Sequence, residues 1–180
     1  MQAHAPGIAF KLPPRTALEV FEMLPEGTLA EVIDNTIYMP PSPDVWHQDT
    51  SITLASFMHT HVIKFKLGKC LAAPMDVYLN DRNIVQPDIL FISTANLGII
   101  KDGKIKGTPD LIVEILSDNH KYDTKTKKEL YEVFGVKEYF IIAPDTKEVI
   151  TYYHDSNVFA KQESMKGWIV SKLLGKEFEF

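Results

Sequence analysis

The stretch Leu111-Ile112-Val113-Glu114-Ile115-Leu116 decides the fold. It is short and rich in β-branched residues, as a buried strand is, yet its fourth residue is a carboxylate. An ionised carboxylate inside such a strand is costly unless a cation offsets it. The next segment offers that cation. With Asp123 to Phe134 read as a helix, Lys127, Leu130, Tyr131 and Phe134 fall at i, i+3, i+4 and i+7 and form one inward stripe. Lys125 and Lys128 point well away from it. A buried acid facing a buried base marks a candidate site, and a plain Glu114–Lys127 ion pair is the structural alternative.

Upstream, Thr16 is placed to cap a short helix through Leu24, with Glu19 three residues on, before Pro25-Glu26-Gly27 ends it. Leu29 to Ile33 and Thr36 to Met39 flank Asp34-Asn35, a turn pair tolerant of positive φ, and read as a hairpin. Pro40-Pro41-Ser42-Pro43 interrupts regular structure. From Asp44, apolar residues including Ile52, Ala55 and Met58 at helical spacing predict a helix to about His61 or Lys64. Leu71 to Leu79, Ile84 to Ile92 and Leu111 to Leu116 read as strands, with a turn at Asn80-Asp81-Arg82-Asn83. After the Asp123–Phe134 helix and its natural cap at Gly135 come strands at Tyr139 to Ala143 and Glu148 to Tyr153. The tail suggests one more hairpin around Lys166-Gly167. The core order is thus α-β-β-β-α-β, with residues 1–15 a Pro-rich irregular arm and 16–180 a single domain.

A chain of 180 residues can bury a real core, and 45% hydrophobic with 24% charged residues is the composition of an ordinary globular protein. The net charge of −5 argues against a strongly basic nucleic-acid binder of the histone kind, though not against an enzyme with a local basic patch. Cys70, the single cysteine, permits no intrachain disulfide and reads as a small core residue. No secretory leader pattern and no apolar run near the roughly 20 residues that cross a bilayer are visible. A bacterial, cytoplasmic protein without a membrane partner is the expectation.

Three positions converge on one chemistry. Asp88 follows Pro87 at the start of Ile89-Leu90-Phe91-Ile92, Glu114 lies in the next strand, and Lys127 projects from the helix after it. Two carboxylates on neighbouring strands can hold Mg²⁺ or Mn²⁺, with water or a phosphate oxygen completing the shell. A nearby lysine can stabilise charge on a transferring phosphoryl group. Other candidates have plainer readings. Asp110 stands at the strand entrance as a turn residue, Asp76 is a further carboxylate on an exposed strand, and His47 is placed to cap its helix. His59 and His61 are two apart on a helix and point about 200° apart, which does not suit a shared metal. There is no Gly-rich phosphate loop and no nucleophile elbow.

Taken together, these stretches resemble the Uma-type restriction-endonuclease family within the PD-(D/E)XK nuclease superfamily. The matching pieces are Pro40-Pro41-Ser42-Pro43 with His47, Val85-Gln86-Pro87-Asp88, and Thr108-Pro109-Asp110-Leu111 through Ser117. Asp123, Lys127, Tyr131 and Gly135 then lead into Val136-Lys137-Glu138-Tyr139. One departure matters: the position two after Glu114 is Leu116 where the superfamily has lysine, and the lysine has moved to the following helix. The resemblance implies a restriction-endonuclease-like α+β fold, an αβββαβ core with a mixed central sheet flanked by helices. It implies Asp88, Glu114 and the Ile115 carbonyl as metal ligands and Lys127 as the electrostatic catalyst. His47 would border the cleft, and Lys125 and Lys128 would meet DNA. A symmetric homodimer is the assembly such an enzyme would use to cut both strands. The alternative is an inactive nuclease fold serving as a binding or assembly module.

Overall fold

The structure is a computed structural model that describes residues 16–117, 122–163 and 165–180, with only the backbone of residues 122–124. The expected arm over residues 1–15 and the side chain of Asp123 lie outside the described residues. Thr16 caps α1 (Ala17–Phe21), its Oγ1 accepting the Glu19 N–H. β1 (Glu31–Ile33) and β2 (Thr36–Tyr38) form the expected hairpin, and Asp34 and Asn35 take the two positive φ values, 47° and 60°, that its tight turn requires. Asp44 caps α2 (Val45–Phe65) by accepting the His47 N–H at 2.8 Å. There follow β3 (Gly68–Ala72), β4 (Val77–Asn80), β5 (Asn83–Val85), β6 (Ile89–Ser93), β7 (Ile100–Lys101), β8 (Lys104–Lys106) and β9 (Leu111–Ile115). A wide helical turn over Tyr122–Lys127 leads into α3 (Lys128–Val133). β10 (Glu138–Ala143), β11 (Glu148–Asp155), β12 (Val158–Gln162), β13 (Trp168–Ser171) and β14 (Lys176–Glu179) complete the described chain.

The central sheet has the order β12-β11-β10-β9-β6-β3 and is mixed: β9 and β10 run parallel, and the other neighbours antiparallel. A parallel pair needs a long crossover, which the α3 segment provides. The alternation along β9 sorts its residues between two cores. Leu111, Val113 and Ile115 pack with Leu54, Met58 and Val62 of α2, while Ile112 and Leu116 join Tyr131, Val136 and Tyr139 on the opposite face. Burying each such aliphatic side chain contributes about 1.5–3 kcal/mol relative to exposure. This is a mixed α+β fold, a central sheet with helices on both faces.

Two expected strands are each two strands. The Leu71–Leu79 run breaks at Pro74, after a cis Ala73–Pro74 bond, and the Ile84–Ile92 run breaks at Gln86-Pro87-Asp88. Proline lacks the N–H that a ladder needs, so each run leaves one sheet and enters another. β4 and β5 belong to a second sheet, β2-β1-β5-β4-β8-β7, whereas β3 and β6 lie in the central one. Ile52 is not a core residue of α2 but is 70% exposed; Leu54, Met58 and Val62 face inward. The terminal hairpin turns between Ser171 and Lys176, not at Lys166-Gly167. Cys70 is buried in the core, and burial pushes its thiol up to about 12, consistent with a packing role.

Candidate active site

Residue parity along β9 sends Glu114 to the face covered by α3, opposite the face that α2 packs. There Glu114 is only 3% exposed, and Lys127 Nζ lies 3.1 Å from each of its carboxylate oxygens. The Tyr131 hydroxyl donates to Glu114 Oε1 at 2.7 Å, one helical turn beyond Lys127. The inward stripe read from the sequence therefore exists, although the chain is wound wide at Tyr122–Lys127 and becomes α-helical only from Lys128. Such wide turns recur at functional sites. Burial, reinforced by the charges of Glu114 and Glu31, holds the Tyr131 hydroxyl well above the usual tyrosine range, so it stays protonated and donates.

A second buried carboxylate meets the same ammonium. Glu31, from β1, places Oε1 3.0 Å from Lys127 Nζ, and the same oxygen accepts the Gln86 N–H at 2.8 Å. Gln86 in turn donates from its side chain to Asp76 Oδ1 at 2.7 Å. Glu31 is a site residue that the sequence reading missed. Its signal was the same as that of Glu114, a carboxylate inside an apolar run, Leu29-Ala30-Glu31-Val32-Ile33.

Asp88 immediately precedes β6. Ile89 pairs with Val113, which brings the preceding Asp88 to the Glu114–Ile115 end of β9. Asp88 Oδ2 accepts the Ile115 N–H at 2.7 Å. The Leu116 N–H points the other way, to the Ile142 carbonyl, so the polar groups of Ile115 face Asp88. His47 reaches in from the first turn of α2, with Nε2 3.3 Å from Asp88 Oδ1 and a further contact to the Ile115 backbone. Burial alone would lower the pKa of His47, but the hydrogen bond and charge of Asp88, with Asp44 behind it, leave it raised. Its Nδ1 is buried with no hydrogen-bond partner among the described residues.

Asp88, Glu114, Ile115, Lys127, His47 and Glu31 all line one cleft of about 300 Å³. Among the described residues no three His, Cys, Asp or Glu side chains converge into a ready metal cluster. Asp88, Glu114 and the Ile115 carbonyl are oxygen donors of the kind a hard divalent cation takes, and Lys127 and Tyr131 engage the Glu114 oxygens while the Ile115 N–H and His47 engage those of Asp88. Charge agrees with this, because Glu31, Asp88 and Glu114 against Lys127 leave two negative charges in the cleft when His47 is neutral.

The remaining sequence candidates fall elsewhere. Lys125 is exposed, and Lys128 pairs with Glu132 at 3.1 Å beneath the rings of Tyr152 and Phe159; neither lines the cleft. Asp110 is not a simple turn residue, being buried and holding the Ser93 N–H, Asn96 and Lys137. His59 and His61 each meet a different backbone carbonyl, those of Cys70 and Leu174.

A family model described as "Uma2: Putative restriction endonuclease" matches residues 18–179. No curated protein matches the chain. Among solved structures the fold is similar to the crystal structure of "a putative nuclease belonging to DUF820" from Anabaena variabilis. That likeness has a TM-score of 0.73 and 20% identity over 90% of this chain and 92% of the other.

Proposed function

The chain belongs to the Uma2 family, and from that premise we propose that it is a divalent-metal-dependent endonuclease that hydrolyses DNA phosphodiester bonds. The observation that carries the reading is Lys127. A lysine 5% exposed is held by buried carboxylates from two strands in the cleft that also contains Asp88. Asp88, Glu114 and the Ile115 carbonyl would hold Mg²⁺ or Mn²⁺. When bound, such an ion supplies Lewis-acid charge at a phosphate and a water of lowered pKa.

The chain's own residues do the rest. Lys127 presents a fixed positive charge where a phosphate oxygen gains negative charge in the transition state. Glu31 and Tyr131 restrict Lys127 and Glu114 to one arrangement, so little reorganisation is needed when charge develops. The Ile115 N–H and His47 orient the two oxygens of Asp88. The cleft's apolar walls limit bulk water and so strengthen each electrostatic contact.

The second reading, an inactive nuclease fold acting as a binding module, draws on the same contacts, since Lys127 and Tyr131 already engage the Glu114 oxygens. Calorimetric titration of Mn²⁺ into the wild type and Glu114→Gln, followed by a cleavage assay on DNA, separates the two. Stoichiometric binding lost in the variant, together with cleavage, supports the nuclease. Heatless titration of a folded wild type that cuts nothing supports the inert fold.

A further inference from the structure

The cleft that holds the charged cluster is small, and its buried charged groups lie beneath an exposed, proline-rich apolar wall. Its volume of about 300 Å³ is at the low end of ligand pockets, which run roughly 300–1,000 Å³. One wall is the segment between β2 and α2, where Met39, Pro40, Pro41 and Pro43 line the space, with Leu29 and Pro74 nearby. Three prolines fix φ along that segment, so the wall is preformed. Tyr38 stands beside it, lining the cleft while 36% exposed. The reactive groups lie at the bottom, with Glu31, Glu114 and Lys127 all buried.

These dimensions bear on what can reach them. Proteins that grip a duplex distribute lysines and arginines along its phosphates, and this positive surface supplies most of their affinity. Among the described residues lining this cleft, Lys127 is the single lysine or arginine, and two carboxylates already engage it. The net charge of −5 adds no long-range attraction for a polyanion. A paired, stacked strand cannot bring one nucleotide down to buried groups such as Glu114 and Lys127 without being unstacked and unpaired, whereas an unpaired strand pays far less. Apolar and aromatic walls suit an exposed base, because every base offers a face for stacking.

We infer that the Tyr38–Pro43 wall receives a single nucleotide from an unpaired DNA strand, so that single-stranded segments, and not intact duplex, are the substrate. This rests on the nuclease reading above. It adds a shallow salt dependence, since base burial and the cation, not phosphate neutralisation along a groove, hold the strand.

The test uses the full chain with Mn²⁺ and one labelled oligonucleotide in three forms: single-stranded, fully paired, and paired except for a central bubble. Cleavage rate and metal-dependent binding by fluorescence anisotropy are both read. Single strand and bubble should be cut at least about 10-fold faster than the duplex, with bubble cuts confined to the unpaired positions. Tyr38→Ala should raise KM for the single strand about 5-fold or more while kcat changes little, as loss of a stacked base does. Duplex cut as fast as single strand, or an unchanged KM in Tyr38→Ala, overturns the inference and leaves the nuclease reading standing. Preferential metal-dependent binding of the unpaired strand without any cleavage supports the cleft's assignment and sinks the nuclease. Neither binding nor cleavage of any form overturns both.

Discussion

Glu31 Oε1 and Lys127 Nζ lie 3.0 Å apart, joining the first hairpin to the segment that opens α3. The same ammonium is 3.1 Å from both oxygens of Glu114, so one cation serves two buried carboxylates from two different sheets. Removing one partner of a buried ionic cluster is far more damaging than the cluster's net worth, because charge is left uncompensated in a poor solvent. The substitutions below follow from that asymmetry.

Lys127→Ala should lose about 3 kcal/mol or more of stability without metal, because Glu31 and Glu114 are left facing each other. Mn²⁺ should restore part of the thermal midpoint by replacing the lost positive charge, while cleavage stays down on the order of 10²-fold. Lys125→Ala, at an exposed position, should change stability by less than about 0.5 kcal/mol. Thermal melts with and without Mn²⁺, alongside initial rates, check both. Equal losses in the two variants, abolished by changing the salt, would reduce Lys127 to part of a basic surface.

Asp88→Asn should behave in the opposite way. An asparagine carbonyl can still accept the Ile115 N–H, so the fold should persist with a midpoint within about 3 °C of wild type. Removal of one negative charge from a crowded site can even stabilise it. Mn²⁺ affinity should fall by an order of magnitude or more, measured by calorimetry. A variant that does not fold would assign Asp88 a structural role instead.

Tyr131→Phe tests whether the tyrosine orients Glu114. It removes a 2.7 Å hydrogen bond to a buried carboxylate, at a cost of about 1–2 kcal/mol read from denaturant unfolding. A late-ionising tyrosine should also vanish from the alkaline absorbance titration, since burial holds this hydroxyl above the usual range. If the wild-type and variant titrations superimpose, the hydroxyl is not the buried, protonated donor described here.

How much of this was legible in the sequence depended on whether the signal was local. Glu114 announces itself because a carboxylate interrupts an apolar run, and Lys127 because the 3.6-residue period puts it on a greasy stripe. Asp34-Asn35 dictates its turn through positive φ alone. The two broken strands were harder: Leu71–Leu79 and Ile84–Ile92 are mostly apolar, and although Asp76, Gln86 and Asp88 interrupt them beside their prolines, nothing local says that Pro74 and Pro87 hand the chain from one sheet to another. Glu31 escaped for a related reason. Its strand has three residues, its turn dominated the reading, and its partner lies far along the chain.

Acid stability should be governed in part by Asp110. Burial opposes its ionisation, but the Lys137 ammonium, the Ser93 N–H and Asn96 outweigh it and hold the carboxyl below its ordinary value. A depressed folded pKa contributes stability that is present above the unfolded value, near 4, and is lost as pH falls through the folded one. Wild-type stability should therefore decline below about pH 4. Asp110→Asn should be less stable at pH 7 by about 2 kcal/mol and flatter across the acid range. Parallel curves for the two proteins would remove Asp110 from this role.

The order of the cluster along the chain has a consequence for synthesis on the ribosome. Glu31, Asp88 and Glu114 all emerge before Lys127, and β10, the parallel partner of β9, comes after it. A nascent chain therefore carries Glu31 and Glu114 without the ammonium that pairs with both in the fold, and half of a strand pair with no mate. Long-range pairing of this kind is slow and cannot begin early. The central sheet closes only when the segment through Ala143 is available, so truncated or stalled products hold no assembled cleft.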